Sequence, residues 1–548
     1  MKIDQAQSAK YFFNPIFLYG PPGSGKTSVG RELAESLALP FIDLDRMIEE
    51  QTGNSIPEIF EQDGEAKFRV LEKKAIQEVT KLDWGVIALG GGALLDERNR
   101  DEVREAGTNI VLGASEQRII KRLTEDKKER PLIGAQDRAT AISKLMILLA
   151  ERAPHYASFE KQIETDTKTP IEIAWETQVE VGAFYVRGMD ASPGKGNLPG
   201  AGRNRRGPPG YDVRVACALD NLGEALRLHS MAGPIVIVTD QNVAEHYLSR
   251  VEKSLQAEGY VTRAVIIPPG EGSKTITMVA HLWEAFLGAG LERGSSVIVL
   301  GGGVVGDLAG FAAATYMRGI SWVNVPTSLL AMVDASLGGK TGADLPQGKN
   351  LVGAFHAPKM VLTDPSTLNT LPRAEVRSGM AEVIKTGVIG DPGLFDLSRN
   401  NLEMVEQDLE EMIRRAIAVK IQVIEADPYE GGLRAVLNLG HTIGHAVEKV
   451  SNYQLRHGEA VAIGMVAEAK LAERIGMAER GLADEIADAC KLVDLPVDIP
   501  QGFIREDILE AMKVDKKRQG AKVKFALPVK IGEVRPGVEV SDLEKLLW

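Results

Sequence analysis

Cysteine is nearly absent: the 548-residue chain has two, Cys217 and Cys490. Two are too few for a disulfide scaffold or a cysteine-based zinc site, and they read as ordinary buried thiols of a reducing compartment. Positive charge is in deficit, with 64 Lys and Arg against 76 Asp and Glu, a net charge of −12. Such a surface repels nucleic acid and anionic membranes, so neither is an expected partner, and an anionic substrate needs local basic pockets. Long apolar runs are missing too. None approaches the ~20 residues that span a bilayer. The opening stretch MKIDQAQSAKYFFNPIFLYG is broken by Asn14 and Pro15 and lacks the apolar core of a signal peptide. Cytoplasm is the expected location.

What is present is an ordinary globular composition, 44% hydrophobic and 26% charged, long enough for two to four domains at roughly 100–200 residues each. One stretch breaks the texture. Residues 188–210, GMDASPGKGNLPGAGRNRRGPPG, hold seven Gly and four Pro and too little apolar surface to offset their own ordering entropy. They read as a linker between residues 1–187 and a second unit from 211. In the first unit IFLYG (16–20), VIALG (86–90) and NIVLG (109–113) read as buried parallel strands with helices between them. In the second, PIVIVTD (234–240), RAVIIPPG (263–270) and SVIVLGGG (296–303) repeat that pattern, and from about 373 the texture becomes mostly helical. The expected fold is therefore α/β in both units. The second unit divides into an α/β domain over 211–372 and a helical domain over 373–548.

Residues 20–27, GPPGSGKT, fit the phosphate-loop pattern, follow a strand and precede a helical run. Gly23 and Gly25 let backbone amides, with those of Ser24 and Ser28, curl around phosphates. Lys26 supplies a point charge, Thr27 a hydroxyl for Mg²⁺, and the helix N-terminus its partial charge. In FIDLD (41–45) Asp43 and Asp45 read as two carboxylates on one face at a strand end, Asp43 for Mg²⁺ and Asp45 for a substrate hydroxyl. FRVLE (68–72) places Arg69 on a helix. A glycine triplet stands at 90–92, RPL at 130–132 reads as a lid, and Arg152 falls at a loop or helix start.

In this order the elements resemble shikimate kinase over about residues 14–165. The resemblance implies an ATP- and Mg²⁺-using P-loop kinase. Asp45, Arg69, Gly91, Gly92 and Arg152 would hold shikimate, Arg130 would meet the transferring phosphate, and Arg122 is the nearest candidate to stack on adenine. Bidentate arginines suit a carboxylate substrate, and phosphoryl transfer needs positioning and charge neutralisation. A gluconate- or nucleotide-type kinase is the alternative within that fold.

In the second unit Asp240 and Asn242 follow a strand, where an acid can bind ribose hydroxyls. Glu271 and Lys274 lie in PPGEGSKT, and LGGGVVGDLAG (300–310) is a Gly-rich turn into a helix. Asp334, Lys340, Lys349 and Asn350 sit in polar, Gly-rich segments open to an anionic substrate. Three of the eight histidines fall between 441 and 457. His441 and His445 share a helix face, His457 follows, and Glu382 and Lys385 share another face. Two His and one Glu leave a metal position open for substrate.

These motifs, through L-N-x-G-H-T-x-G-H and H-G-E-A-V, resemble 3-dehydroquinate synthase over about 211–548. The resemblance implies Zn²⁺ or Co²⁺ held by Glu382, His441 and His457, with His445 and Glu430 as acid/base candidates. It implies NAD⁺ along Asp240, Asn242, Glu271, Lys274, Gly302, Gly303, Val304, Asp307, Thr327, Ser328, Lys349 and Thr370. The phosphorylated sugar acid would meet Asp334, Lys340, Asn350, Lys385, Lys420, Arg434, Asn438 and Lys516. Arg318 would reach it across a homodimer interface. The implied reaction converts 3-deoxy-arabino-heptulosonate 7-phosphate to 3-dehydroquinate and phosphate. Glycerol-type dehydrogenases and other sugar-phosphate cyclases share the fold.

Overall fold

A computed structural model describes residues 14–125, 138–187, 210–216, 218–428, 432–514, 523–540 and 543. Within them the chain forms two compact units that divide between Tyr185 and Val186, two residues ahead of the boundary expected from composition. Most of the Gly/Pro-rich stretch lies outside the described residues, as do Arg130, Glu430 and Lys516.

The first unit is built on a parallel sheet of β1 (Ile16–Tyr19), β2 (Phe41–Asp43), β3 (Val86–Ala88), β4 (Thr108–Gly113) and β5 (Gln162–Glu164), in the order β2-β3-β1-β4-β5. β1 is central and fully buried, because its four apolar residues face helices on both sides, as parallel sheets require. One face packs Phe17, Ile87 and Val111 against Ile48, Ile76 and Val103. The other packs Leu18, Val86 and Leu112 against Leu33 and Ile173. Four helices carry the site: α1 (Lys26–Ser36), α2 (Leu44–Thr52), α3 (Gly64–Val79) and α5 (Arg138–Ala157), with α4 (Glu116–Glu125) beside them.

The second unit has a sheet of β7 (Gly210–Val215), β8 (Ile235–Asp240), β9 (Thr262–Ile267), β10 (Ser296–Gly301), β11 (Ser321–Pro326) and β14 (Met360–Thr363), in the order β7-β14-β11-β10-β8-β9, and β6 (Ala183–Arg187) contains the division between the units. From β7 to β9 all neighbouring strands pair in parallel. An antiparallel hairpin of β12 (Lys340–Leu345) and β13 (Gly348–Phe355) stands apart from it. α6 (Gly303–Thr315) follows β10. The helical part contains α7 (Arg373–Gly390), α8 (Leu402–Ala426), α9 (His441–Val450) and α10 (His457–Arg474). The expectation of a mostly helical end holds with one addition, a second antiparallel hairpin, Lys524–Lys530 with Glu533–Glu539.

Candidate active sites

In the first unit β1 delivers the chain to the loop 20–25. Gly25 caps α1 at φ 100° without a side-chain cap, a conformation that L side chains rarely adopt. The first amides of α1 therefore meet no capping side chain. Lys26 Nζ donates to the Gly20 and Pro21 carbonyls, both at 2.9 Å. Thr27 Oγ1 donates to Asp43 Oδ2 at 2.7 Å, so the two residues expected at Mg²⁺ already touch. Ser24 is fully buried and its hydroxyl has no hydrogen-bond partner among the described residues. Beside the loop lies a cavity of about 350 Å³ bounded by Ser24, Gly25, Ser28, Arg118, Arg122 and Pro170. Arg122 donates to the Gly23 and Ser24 carbonyls at 3.2 Å and to the Thr165 carbonyl at 2.8 Å. Its guanidinium thus braces the loop as well as lining the cavity.

The reading of Asp43 and Asp45 as parallel strand side chains is corrected. β2 stops at Asp43, which caps α2, and Asp45 lies in the first turn of that helix. Two carboxylates in a helix start have the local N–H groups to accept, which a strand end lacks. The consequence is a division of labour. Asp43 faces Thr27, whereas Asp45 Oδ1 lies 3.0 Å from where a Cβ on Gly90 would be. A Cβ on Gly92 would stand 3.0 Å from Arg69 and 3.3 Å from Arg152, so the triplet is where both arginines converge. Arg152 sits inside α5, not at a helix start, and Nη1 donates to the Gly91 carbonyl at 3.4 Å. Sequence reasoning missed Glu72. It is 2% exposed, accepts from Arg69 Nη1 at 2.7 Å, and burial pushes its carboxyl up against the pull of Arg69. Its signal was the i,i+3 spacing within FRVLE.

In the second unit Gly302 and Gly303 open α6 at the end of β10, with no side-chain cap. Lys274 Nζ meets Asp307 Oδ2 at 2.6 Å and Asn350 Oδ1 at 2.5 Å, uniting residues expected at nucleotide and sugar. Burial raises the Asp307 carboxyl, with Lys274 opposing. Lys349 lies 3.1 Å from Glu448 and 3.8 Å from Glu271. Thr327 is buried against the Gly301 carbonyl, and the Ser328 hydroxyl accepts from Ala331 N. Thr370 bonds Tyr247 at 2.7 Å. Asp240 caps its own turn through Val243 N at 3.1 Å, Asn242 is exposed, and Val304 is half-buried.

The metal candidates come together. Glu382 on α7, His441 at the start of α9 and His457 at the start of α10 bring ligand atoms within 4.8 Å of one another. Glu382 Oε1 is 3.8 Å from His441 Nε2 and 3.7 Å from His457 Nε2. Glu382 is 1% exposed; Oε2 is ion-paired with Lys385, and Oε1 has no hydrogen bond among the described residues and faces the two imidazoles. A buried carboxylate oxygen turned toward two imidazoles fits a divalent cation. Close helix approach sets this geometry. A Cβ on Gly464 would stand 1.9 Å from the Gly440 carbonyl, and one on Gly458 2.0 Å from that of Ser378. The buried carboxylate of Glu468 accepts from Gly440 N at 2.7 Å and Ile443 N at 3.3 Å, anchoring the start of α9. The sequence contained no signal for Glu468 beyond one acid in an apolar helix.

Lysines surround the triad. Lys385, 2% exposed, is ion-paired with Glu382. Lys420 Nζ lies 2.5 Å from both the carboxylate and the carbonyl of Asp334. Burial opposes ionisation of Asp334, yet Lys420 holds its carboxyl below the usual range. The His441 imidazole is pushed down to about 3 by burial and by Lys385. Burial also works against a charged His457, but Glu382 and Glu448 outweigh it and raise it to about 9. His445 is exposed, with its ring 5.0 Å from that of His441. Arg434 is buried and donates to the Pro428 carbonyl at 3.0 Å. Lys340 and Asn438 are exposed. Arg318 is exposed on a turn where Met317 (φ 50°) and Arg318 (φ 69°) are both left-handed.

A family model described as shikimate kinase matches residues 22–181. Models described as 3-dehydroquinate synthase N-terminal and C-terminal match 264–378 and 379–518. A 3-dehydroquinate synthase of Caldanaerobacter subterraneus subsp. tengcongensis is 45% identical over 334 residues, 60% of this chain and 94% of that protein. Among solved structures, a 2-deoxy-scyllo-inosose synthase complexed with carbaglucose-6-phosphate, NAD⁺ and Co²⁺ is 26% identical with a TM-score of 0.57, covering 62% of this chain and 96% of its own. A 2-epi-5-epi-valiolone synthase from Streptomyces hygroscopicus with NAD⁺ and Zn²⁺ bound is 27% identical, TM-score 0.55, covering 64% and 97%. The chain therefore belongs to the 3-dehydroquinate synthase family and carries a shikimate kinase domain ahead of its synthase part.

Proposed function

We propose that the residues placed above carry both family activities: ATP-dependent phosphorylation of shikimate, and conversion of 3-deoxy-arabino-heptulosonate 7-phosphate to 3-dehydroquinate and phosphate. For the kinase, Lys26 and the amides of 23–28 hold the nucleotide phosphates, and Thr27 with Asp43 holds Mg²⁺. Arg69 and Arg152 grip the shikimate carboxylate beside Gly91 and Gly92, and Asp45 orients the attacking hydroxyl. Arg122 lines the adenine side, and Arg130 is assigned the transferring phosphate from its motif alone.

For the synthase, the supporting observation is the convergence of His441, His457 and the buried Glu382, whose Oε1 faces both imidazoles while Oε2 pairs with Lys385. Bound Zn²⁺ or Co²⁺ would polarise a substrate hydroxyl and bound NAD⁺ would accept and return its hydride, so the reaction has no net redox change. Asp307, Lys274 and the amides of Gly302 and Gly303 suit the nucleotide. Lys385, Lys420, Arg434 and Asn350 suit the phosphosugar, with His445 at the metal side as proton acceptor. Exposed Met317, Leu351 and Phe355 support a homodimer that brings Arg318 to the partner's site. Gly319, next to that turn, lies close to His356, which follows Phe355. A cytoplasmic setting suits these phosphorylated substrates.

The test is a pair of assays on the whole chain. Phosphate release from the heptulosonate phosphate should stop after chelation and return with Zn²⁺, while shikimate phosphorylation needs only ATP and Mg²⁺. Failure to release phosphate from that sugar, with release from another sugar phosphate, would sink the synthase reading in favour of a different cyclase. Gluconate outcompeting shikimate would do the same for the kinase.

A further inference from the structure

Glu448 is a buried acid, 8% exposed, to which neither site assignment gives a part. It lies on α9, about one turn beyond His445 and two beyond His441, and its two oxygens face different partners. Oε2 lies 3.5 Å from His457 Nδ1. Oε1 lies 3.1 Å from Lys349 Nζ, which comes from hairpin strand β13 and sits 4.5 Å over the Tyr453 ring. The opposite nitrogen of His457, Nε2, is the one that faces Glu382. A carboxylate on Nδ1 favours the tautomer with its proton there, leaving the Nε2 lone pair for a cation. Lys349 in turn pairs with the other oxygen and holds the carboxylate turned toward the ring, since an isolated buried carboxylate would be costly.

We propose that Glu448 is a positioning residue that sets the tautomer and orientation of His457 as a metal ligand, and that Lys349 braces it from the nucleotide-side hairpin. The inference rests on the assignment of Glu382, His441 and His457 to the metal. It predicts that the strength of metal binding depends on a residue that is not itself a ligand and on a lysine from another element.

The experiment is a Zn²⁺ competition titration of the metal-stripped full chain against a chromophoric chelator, with the Co²⁺-substituted absorption spectrum recorded alongside. E448Q and E448A should weaken Zn²⁺ binding by roughly 10–100-fold, the cost of losing such an outer partner. Both should also shift the Co²⁺ bands, and K349M should weaken binding less than E448A. E448D, which keeps the charge on a shorter arm, should recover part of the affinity. If E448A does not fold, E448Q, of equal size, decides. Unchanged Zn²⁺ affinity and Co²⁺ spectrum in E448Q would overturn the positioning role while leaving the metal assignment intact. A parent chain that fails to bind one Zn²⁺, or an H441A variant that binds it normally, would overturn the metal assignment itself.

Discussion

Asp43 and Asp45, two positions apart, serve different neighbours because a strand turns into a helix between them. The same dependence on surroundings governs His441 and His457, of one residue type and both facing Glu382. Burial and Lys385 push His441 down to about 3, whereas Glu382 and Glu448 overcome burial and carry His457 up to about 9. These directions predict the pH dependence of the metal-free protein. His457 contributes stability that is fully present below its unfolded value of 6.5 and is lost as pH rises toward 9. His441, depressed, favours the unfolded state as pH falls from 6.5 toward 3. Glu448 is resisted by burial but held down to about 2 by His457 and Lys349, and its contribution is lost as pH falls from 4.5 toward 2. Thermal melts of chelator-treated protein should therefore peak near pH 6.5 and decline toward 9. With Zn²⁺ bound, His457 is a neutral ligand and the alkaline decline should vanish. An equal alkaline decline in both forms would contradict this assignment of the proton.

At the scale of elements, three helices supply one residue each to the proposed metal site, and glycine lets them approach. Gly440 caps α9 at φ 78°, and its carbonyl faces Gly464 of α10. G464A would put a methyl 1.9 Å from that carbonyl and must push α9 and α10 apart. It should cost about 1–3 kcal/mol by chemical denaturation, as overpacking typically does. It should also weaken Zn²⁺ binding, since His441 and His457 ride on the two displaced helices. Retained stability with normal metal affinity would show that the helices can shift without moving the ligands.

At the scale of the whole molecule the two sites lie in separate compact units, which predicts separable activities. K26A should lower shikimate phosphorylation by at least ~10²-fold, the scale of losing one preorganised charge donor, and leave phosphate release from the heptulosonate phosphate untouched. H441A should abolish only the latter. Loss of both activities in either variant would reveal coupling. The exposed Met317, Leu351 and Phe355 belong to this scale also. Sedimentation should give a dimer, and L351D with F355D should give a monomer that loses synthase activity, because Arg318 then has no partner site to enter. A monomeric parent chain with full synthase activity would refute that role for Arg318.

Local patterns were legible in one dimension. The phosphate loop, the buried strands, the histidine spacing and the lysine-rich segments all depend on neighbours within a few residues, so periodicity and composition expose them. What depends on distant approach was not. Glu72 gains meaning from the Gly90–Gly92 turn, Glu468 from a helix start 28 positions earlier, and Glu448 from a hairpin lysine 99 positions away. A single acid on a helix carries the same sequence signal whether it faces water or a buried amide. Burial, which makes an unpaired charge costly and a paired one strong, arises only when the helices pack.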